Sequence, residues 1–293
     1  MPLLLKTLSV AFPVFSIIGI GYLFASFKRI SLGPIIEVLL YLTIPALVMS
    51  SLSQKRLLAV ELLTVGFAAV FVVLGIGLVS YIFLTVVKRR DLKGFYLPTM
   101  FMNSGNMSFP LALLAFGGDG LTVAVLYYIP VSLLVYTIGI YIAKGDGGLS
   151  EIFKLPLIYA AAVGIALNLW EVTIPGPALV TFEMLGAATI PLMQLSLGYR
   201  LHSARLSYPG MSVAGSVIRI GGGFLLACLV TYILNIDGVL AKVIILSSTM
   251  PSAVINFIVS HKYSLDSDLV ASTVALSTLM SVFTVPLVLL WIM

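Results

Sequence analysis

Apolar runs dominate the chain, and charged residues, glycine or proline interrupt them at near-regular intervals. Reading those interruptions as boundaries predicts ten spans: Thr7–Phe27, Pro34–Leu52, Ala59–Val87, Gly94–Gly117, Asp119–Ala143, Ile152–Trp170, Ala178–Tyr199, Met211–Leu234, Gly238–Ser260 and Ser267–Met293. Many exceed the roughly 18 apolar residues that mark a membrane helix. Span 3 is long enough to tilt. The first span is too long for the apolar part of a cleavable signal, and Lys28-Arg29 stops it, so it is expected to remain as a helix. The connections are short and leave no extramembrane domain. The expected fold class is an all-α membrane protein.

Composition agrees. Of 293 residues, 60% are hydrophobic and 9% charged, with mean hydropathy +1.17. A soluble domain of this length needs far more polar surface. The net charge of +5 does not imply a nucleic-acid partner, because the basic residues are scattered between apolar blocks and form no patch. They read instead as determinants of orientation. The connections after spans 1, 3, 5, 7 and 9 carry Lys28, Arg29, Lys88, Arg89, Arg90, Lys93, Lys144, Lys154, Arg200, Arg205 and Lys262. Those after spans 2, 4, 6 and 8 carry Lys55 and Arg56, with Lys242 just inside span 9. Lysine and arginine mark the cytoplasmic side, so both termini are expected outside the cytoplasm, which an even number of spans requires. Cys228 is the single cysteine, which excludes an internal disulfide and a Cys-based zinc site; it reads as a small buried or lipid-facing residue.

The chain matches itself at an offset of 146 residues, half its length. Ile36 to Pro45 then lies over Phe182 to Pro191, with identities Glu37/Glu183, Leu39/Leu185, Thr43/Thr189, Ile44/Ile190 and Pro45/Pro191; Ser50/Ser196 follows in register. This places span 2 over span 7, so residues 1–146 and 147–293 form two five-helix repeats. An odd number of helices per repeat inverts the second copy in the membrane, as in many secondary transporters. Chance identity between two apolar segments is the competing reading, and shared Glu, Thr and Pro at fixed spacing argue against it. Pro45 and Pro191 each remove a backbone hydrogen bond and should bend their spans. Glu37 and Glu183 are expected in early helical turns, where the positive end of the helix dipole favours a carboxylate. A proton-carrying role is the alternative.

Span 4 contains Asn103-Ser104-Gly105-Asn106-Met107-Ser108-Phe109-Pro110 in its middle, a composition that no continuous mid-membrane helix favours. The same offset carries Asn103 to Thr249, within Ser247-Ser248-Thr249-Met250-Pro251-Ser252-Ala253-Val254-Ile255-Asn256 of span 9. Paired interrupted helices are the best sequence pointer to a transporter's substrate site. Half-helix N-termini present free N–H groups to a carboxylate, and the asparagine amides supply donors and acceptors. The candidate binding residues are therefore Asn103, Ser104, Gly105, Asn106, Pro110, Thr249, Pro251, Ser252 and Asn256, with a purely helix-gluing role as the alternative. Arg219 joins them as the only basic residue deep inside a span. It must find a partner there, either a substrate carboxylate, or a protein carboxylate such as Glu183 or helix C-terminal carbonyls. The following Gly221-Gly222-Gly223 would admit a close helix neighbour.

At these residues the chain resembles the auxin efflux carrier family, which includes bacterial and archaeal permeases and the plant PIN auxin carriers. Asn103 to Leu111, Met250-Pro251-Ser252-Ala253 and the tail Val270 to Pro286 carry the resemblance, which extends over nearly the whole chain. The chain lacks the long central loop of many plant members. The resemblance implies ten helices in two inverted repeats, with crossing broken helices in spans 4 and 9, as in bile-acid symporters and sodium-proton antiporters. It also implies a scaffold of spans 1, 2, 6 and 7, a mobile unit of spans 3–5 and 8–10 that moves like an elevator, and a homodimer. Its substrates would be small carboxylates such as indole-3-acetate, malate or malonate.

A sodium-coupled organic-anion symporter and a ligand sensor on a transporter fold are the competing readings. No acid lies in either interrupted helix, which leaves the coupling ion open. His202 and His261 fall near span ends, and no HExxH or GxSxG pattern accompanies them, so an enzyme is not expected. No cofactor or metal is expected. The expected partners are the lipid bilayer and a small carboxylate.

Overall fold

The computed structural model describes residues 3–53, 56–145, 149–203 and 206–293. Lys55, Arg205 and the boundary between the two expected repeats at 146/147 lie outside the described residues. Among the described residues the regular elements are all helices, because a backbone in hydrocarbon must satisfy its own hydrogen bonds. Apart from a single turn at Leu149–Ile152, the α-helices in chain order are α1 (Leu3–Phe27), α2 (Gly33–Ser53), α3 (Ala59–Val86), α4 (Tyr96–Met100), α5 (Ser108–Lys144), α6 (Pro156–Leu169), α7 (Gly176–His202), α8 (Pro209–Ile233), α9 (Gly238–Ser248), α10 (Val254–Lys262) and α11 (Ser267–Ile292). Among the described residues, seven of these are long and apolar enough to cross a membrane: α1, α2, α3, α5, α7, α8 and α11. α6 and α9 are shorter apolar helices. Gly117 leaves helical geometry (φ 71°, ψ −158°) and divides α5 into a short N-terminal piece and a longer C-terminal one.

Burial is distributed as a bilayer requires. Large apolar side chains such as Phe12, Phe27, Leu63, Met184, Tyr232 and Phe283 stand on the outside, whereas Ser80, Thr99, Ser108, Ser216, Ser247, Ser248 and Ser281 are enclosed. The outer surface needs no polar cover in lipid, and small hydroxyl residues let helices approach and bond. Several hydroxyls return to their own helix, as Thr231 does to the Ala227 carbonyl and Thr273 to that of Leu269. The tightest approach is α1 against α7: a Cβ on Gly198 would strike the Ile18 carbonyl, and one on Gly21 the Leu195 carbonyl.

The helices are irregular next to both prolines. In α2 a π-helical turn, Leu39–Thr43, precedes Ile44-Pro45 and takes up the missing hydrogen bond. In α7 the helix is interrupted at Ala188, just before Thr189-Ile190-Pro191. The glutamates correct the expectation. Glu37 and Glu183 are both exposed, and neither stands in the first turn of its helical segment. The helix dipole, which fades within the first turn, does not account for them.

Loop contacts sort the connections into sets. The Tyr199 hydroxyl accepts the Ile30 N–H (2.7 Å), Ser272 Oγ accepts the Ser207 N–H (3.1 Å), and Asp266 accepts the Gly94 N–H (2.8 Å). These gather the connections after α1, α3, α7 and α10. Elsewhere Asn168 accepts the Leu57 N–H (2.8 Å) and Arg56 pairs with Glu171, which joins the α2–α3 and α6–α7 connections.

Candidate functional site

The break between α4 and α5 crosses the break between α9 and α10. At the crossing both chains are extended and pair antiparallel through Met102 and Ser252. The Asn103 N–H donates to the Pro251 carbonyl (2.7 Å), and the Ala253 N–H to that of Phe101 (3.1 Å). Backbone groups freed by the two broken helices thus satisfy each other in the buried interior.

Side chains complete the crossing. Asn103 Oδ1 accepts the Asn106 N–H (3.2 Å), an Asx-type turn that brings the chain into α5. Asn106 Nδ2 donates to the Met193 carbonyl of α7 (3.3 Å). Asn256 Nδ2 donates to the Phe101 carbonyl (2.8 Å) and to Ser252 Oγ (3.0 Å), while the Ser252 N–H donates to Ser277 Oγ (3.1 Å). Two hydroxyl pairs, Ser108 with Ser247 (2.6 Å) and Tyr127 with Ser248 (2.7 Å), join α5 to α9.

Against this crossing lies a cavity of about 130 Å³. That is close to the roughly 150 Å³ that admits a benzene ring. Its walls are Ile36, Leu39, Leu40 and Ile44 of α2, Tyr128, Ser132 and Tyr136 of α5, Met193, Ser196 and Arg200 of α7, and Val254, Ile255 and Ile258 of α10. Asn103, Ser104, Gly105 and Asn106 face it from the crossing. Asn103 is enclosed (3% exposed), and its Nδ2 has no partner. Because Oδ1 is committed to the Asn106 N–H, the amide orientation is fixed and Nδ2 is left as a free donor. The cavity is mostly apolar, Arg200 is the one charged residue among its lining residues, and no acid lines it.

The other expected site residues take different places. Pro110 stands in the first turn of α5, where a missing N–H costs nothing, and does not line the cavity. Thr249 bonds back to the Ile245 carbonyl of its own helix (2.7 Å). Pro251, Ser252 and Asn256 hold the crossing but are not among the lining residues.

Arg219 is also corrected. It is 0% exposed, lies in a π-helical turn of α8 (Ile218–Gly222) and is not part of the cavity. Its Nη1 donates to the carbonyls of Thr99 (2.7 Å) and Met100 (2.8 Å), and its Nη2 to that of Ser248 (2.8 Å). These carbonyls close the C-terminal ends of α4 and α9. Of the partners open to Arg219, helix C-terminal carbonyls are the ones found, and Glu183 is exposed elsewhere. A fixed guanidinium at two helix C-termini complements both dipoles at once. Gly223 makes this possible, since a Cβ there would strike the Ser248 carbonyl and Arg219 Nη2.

Sequence reasoning missed Arg200, Ser196, Tyr128, Ser132 and Tyr136 as cavity residues. Arg200 was sorted with the orientation charges of a span end. A usable signal was its spacing of four residues from Ser196, which puts both on one face of α7.

Comparison with known proteins finds transporters. Residues 148–289 match the family described as membrane transport protein. An uncharacterized transporter of Methanothermobacter thermautotrophicus is 29% identical over 266 residues, covering 86% of each chain. Another, from Methanocaldococcus jannaschii, is 26% identical over the same length and coverage. With its polar breaks and helical fold, the chain is thus similar to membrane transport proteins.

Proposed function

We propose that the chain is a secondary transporter of a small organic anion, an auxin-like or other carboxylate, bound in the cavity beside the crossing. The observation that carries this reading is the lining: an apolar chamber with an unpartnered amide donor at Asn103, one arginine and no acid. Apolar walls suit an organic body, and fixed donors with one positive charge suit a carboxylate.

The rest of the reading follows the sequence. Ten spans result when α4 and the part of α5 before Gly117 are taken together as one, and α9 and α10 as another. The two halves are then inverted repeats, with α1, α2, α6 and α7 as scaffold and α3–α5 and α8–α11 as the moving unit. The cavity lies where these two groups meet, between α2 and α7 on one side and α5 and α10 on the other. An elevator-like shift of one group against the other would carry the cavity across the membrane, in a homodimer with both termini outside the cytoplasm.

A thermal-shift screen of carboxylic acids on the purified chain tests the reading, since ligands of the folded state raise its apparent stability. At least one acid should raise the melting temperature while its neutral amide does not. Uptake of that acid with sodium replaced by choline then separates a sodium-coupled carrier from one that is not.

A further inference from the structure

A second cavity, of about 180 Å³, adjoins the first. Leu201 and Ser203 at the end of α7, Phe257 of α10 and Asp268, Ala271, Val274 and Ala275 of α11 line it. Two residues line both cavities, Arg200 and Val254. The second cavity lies toward the end of the bundle where the α7–α8 connection meets α11, as the Ser207–Ser272 hydrogen bond shows.

We propose that Arg200 is the anion-selecting residue of a passage that runs between these two cavities, taking an organic carboxylate to or from the crossing. This rests on the carboxylate reading above. Arg200 is half-buried, and among the described residues its guanidinium has no hydrogen-bond or ion-pair partner. Contrast Arg219, which is wholly enclosed and spends its fork on three carbonyls. A guanidinium is always charged and carries a planar fork that matches a carboxylate. A partly desolvated, unpaired one at the neck between two chambers draws anions and repels cations. Asp268 lines only the second cavity and forms no ion pair with Arg200, so anion preference belongs to the inner chamber, which no acid lines. The orienting role of a basic residue at a helix C-terminus explains a positive charge near this end, but not its position in the walls of both cavities.

The test needs no knowledge of the substrate. In the full chain carrying Cys228→Ser, Ser196→Cys places a single thiol in the inner cavity, four residues before Arg200 on the same helix face. Its modification is timed with two methanethiosulfonates of similar size, the sulfonatoethyl anion and the trimethylammonioethyl cation, each normalised to its rate with free cysteine. Taking the ratio of the two removes any effect of Arg200 on the thiol's own ionisation. The anion should react on the order of tenfold faster than the cation. Arg200→Lys should keep most of that preference, and Arg200→Gln should bring the ratio to about one. Raising salt from about 0.1 to about 1 M should lower the preference in the Arg200 protein, a readout that does not depend on any Arg200 variant folding. Equal rates with Arg200 present, a ratio unmoved by Arg200→Gln, or a thiol that neither reagent reaches would overturn the proposal. Failure of the crossing as the binding site would show differently, as carboxylate uptake indifferent to Asn103→Ala with the reagent preference intact.

Discussion

Arg219 reaches from α8 to the Ser248 carbonyl at the end of α9, 2.8 Å away, while its other terminal nitrogen holds the end of α4. One side chain therefore ties together the C-terminal ends of both helices that stop at the crossing. Each hydrogen bond to a charged group contributes about 1.5–3 kcal/mol, and three carbonyls in hydrocarbon depend on this one. Arg219→Gln is expected to lower stability by more than about 3 kcal/mol, seen as a large fall in melting temperature without ligand. Arg219→Lys keeps the charge but lacks the fork and should fall between. Melting unchanged in Arg219→Gln would contradict the clasp.

The glycine run after Arg219 gives a sharper contrast, because its members have opposite surroundings. A Cβ on Gly221 meets nothing within 4 Å, whereas one on Gly223 meets the Ser248 carbonyl and the guanidinium. Gly221→Ala should be neutral or stabilising by up to about 1 kcal/mol, from helix propensity alone. Gly223→Ala should destabilise by about 1–3 kcal/mol or more, since neither the carbonyl nor the clasped arginine yields easily. Thermal melts of the two variants side by side decide it, and equal effects would sink the packing account.

Orientation has its own check. The connections after the odd-numbered spans carry most of the lysines and arginines, so they are expected on the cytoplasmic side. A fluorescent fusion that matures only in the cytoplasm should stay dark when attached at Met293. Bright fluorescence there would contradict this orientation.

Much of this was legible in the sequence, for a physical reason. Asn, Ser, Gly and Pro gathered at mid-span depth are so unfavourable in a lipid-facing helix that they announce a break, and both breaks lie where Asn103–Pro110 and Ser247–Asn256 stand. What stayed hidden depends on contacts between residues far apart in the chain. Nothing local tells that Met102 pairs with Ser252, or that Arg219 chooses the carbonyls of Thr99, Met100 and Ser248 over an acid. Arg200 was misread because a basic residue at a span end serves orientation in most helices, and only its neighbours across space put it in a cavity wall. The glutamates failed for a different reason: the expected starts, Pro34 and Ala178, lie within two residues of Gly33 and Gly176, but both glutamates stand beyond the first turn, where the dipole has faded.

The central claim is that a carboxylate binds beside the crossing, held by the free amide of Asn103. Uptake of the acid picked by the thermal-shift screen, into proteoliposomes bearing wild-type, Asn103→Ala or Asn256→Ala protein, tests it most directly. Asn103→Ala should cost about 1–3 kcal/mol of affinity with little change in melting temperature, since only the contact from Oδ1 to the Asn106 N–H is lost inside the protein. Asn256→Ala should instead lower the melting temperature, because Asn256 holds the Phe101 carbonyl and Ser252. Saturable uptake that fails in Asn103→Ala while the protein stays folded is the predicted result; uptake with wild-type affinity in that variant would contradict the account.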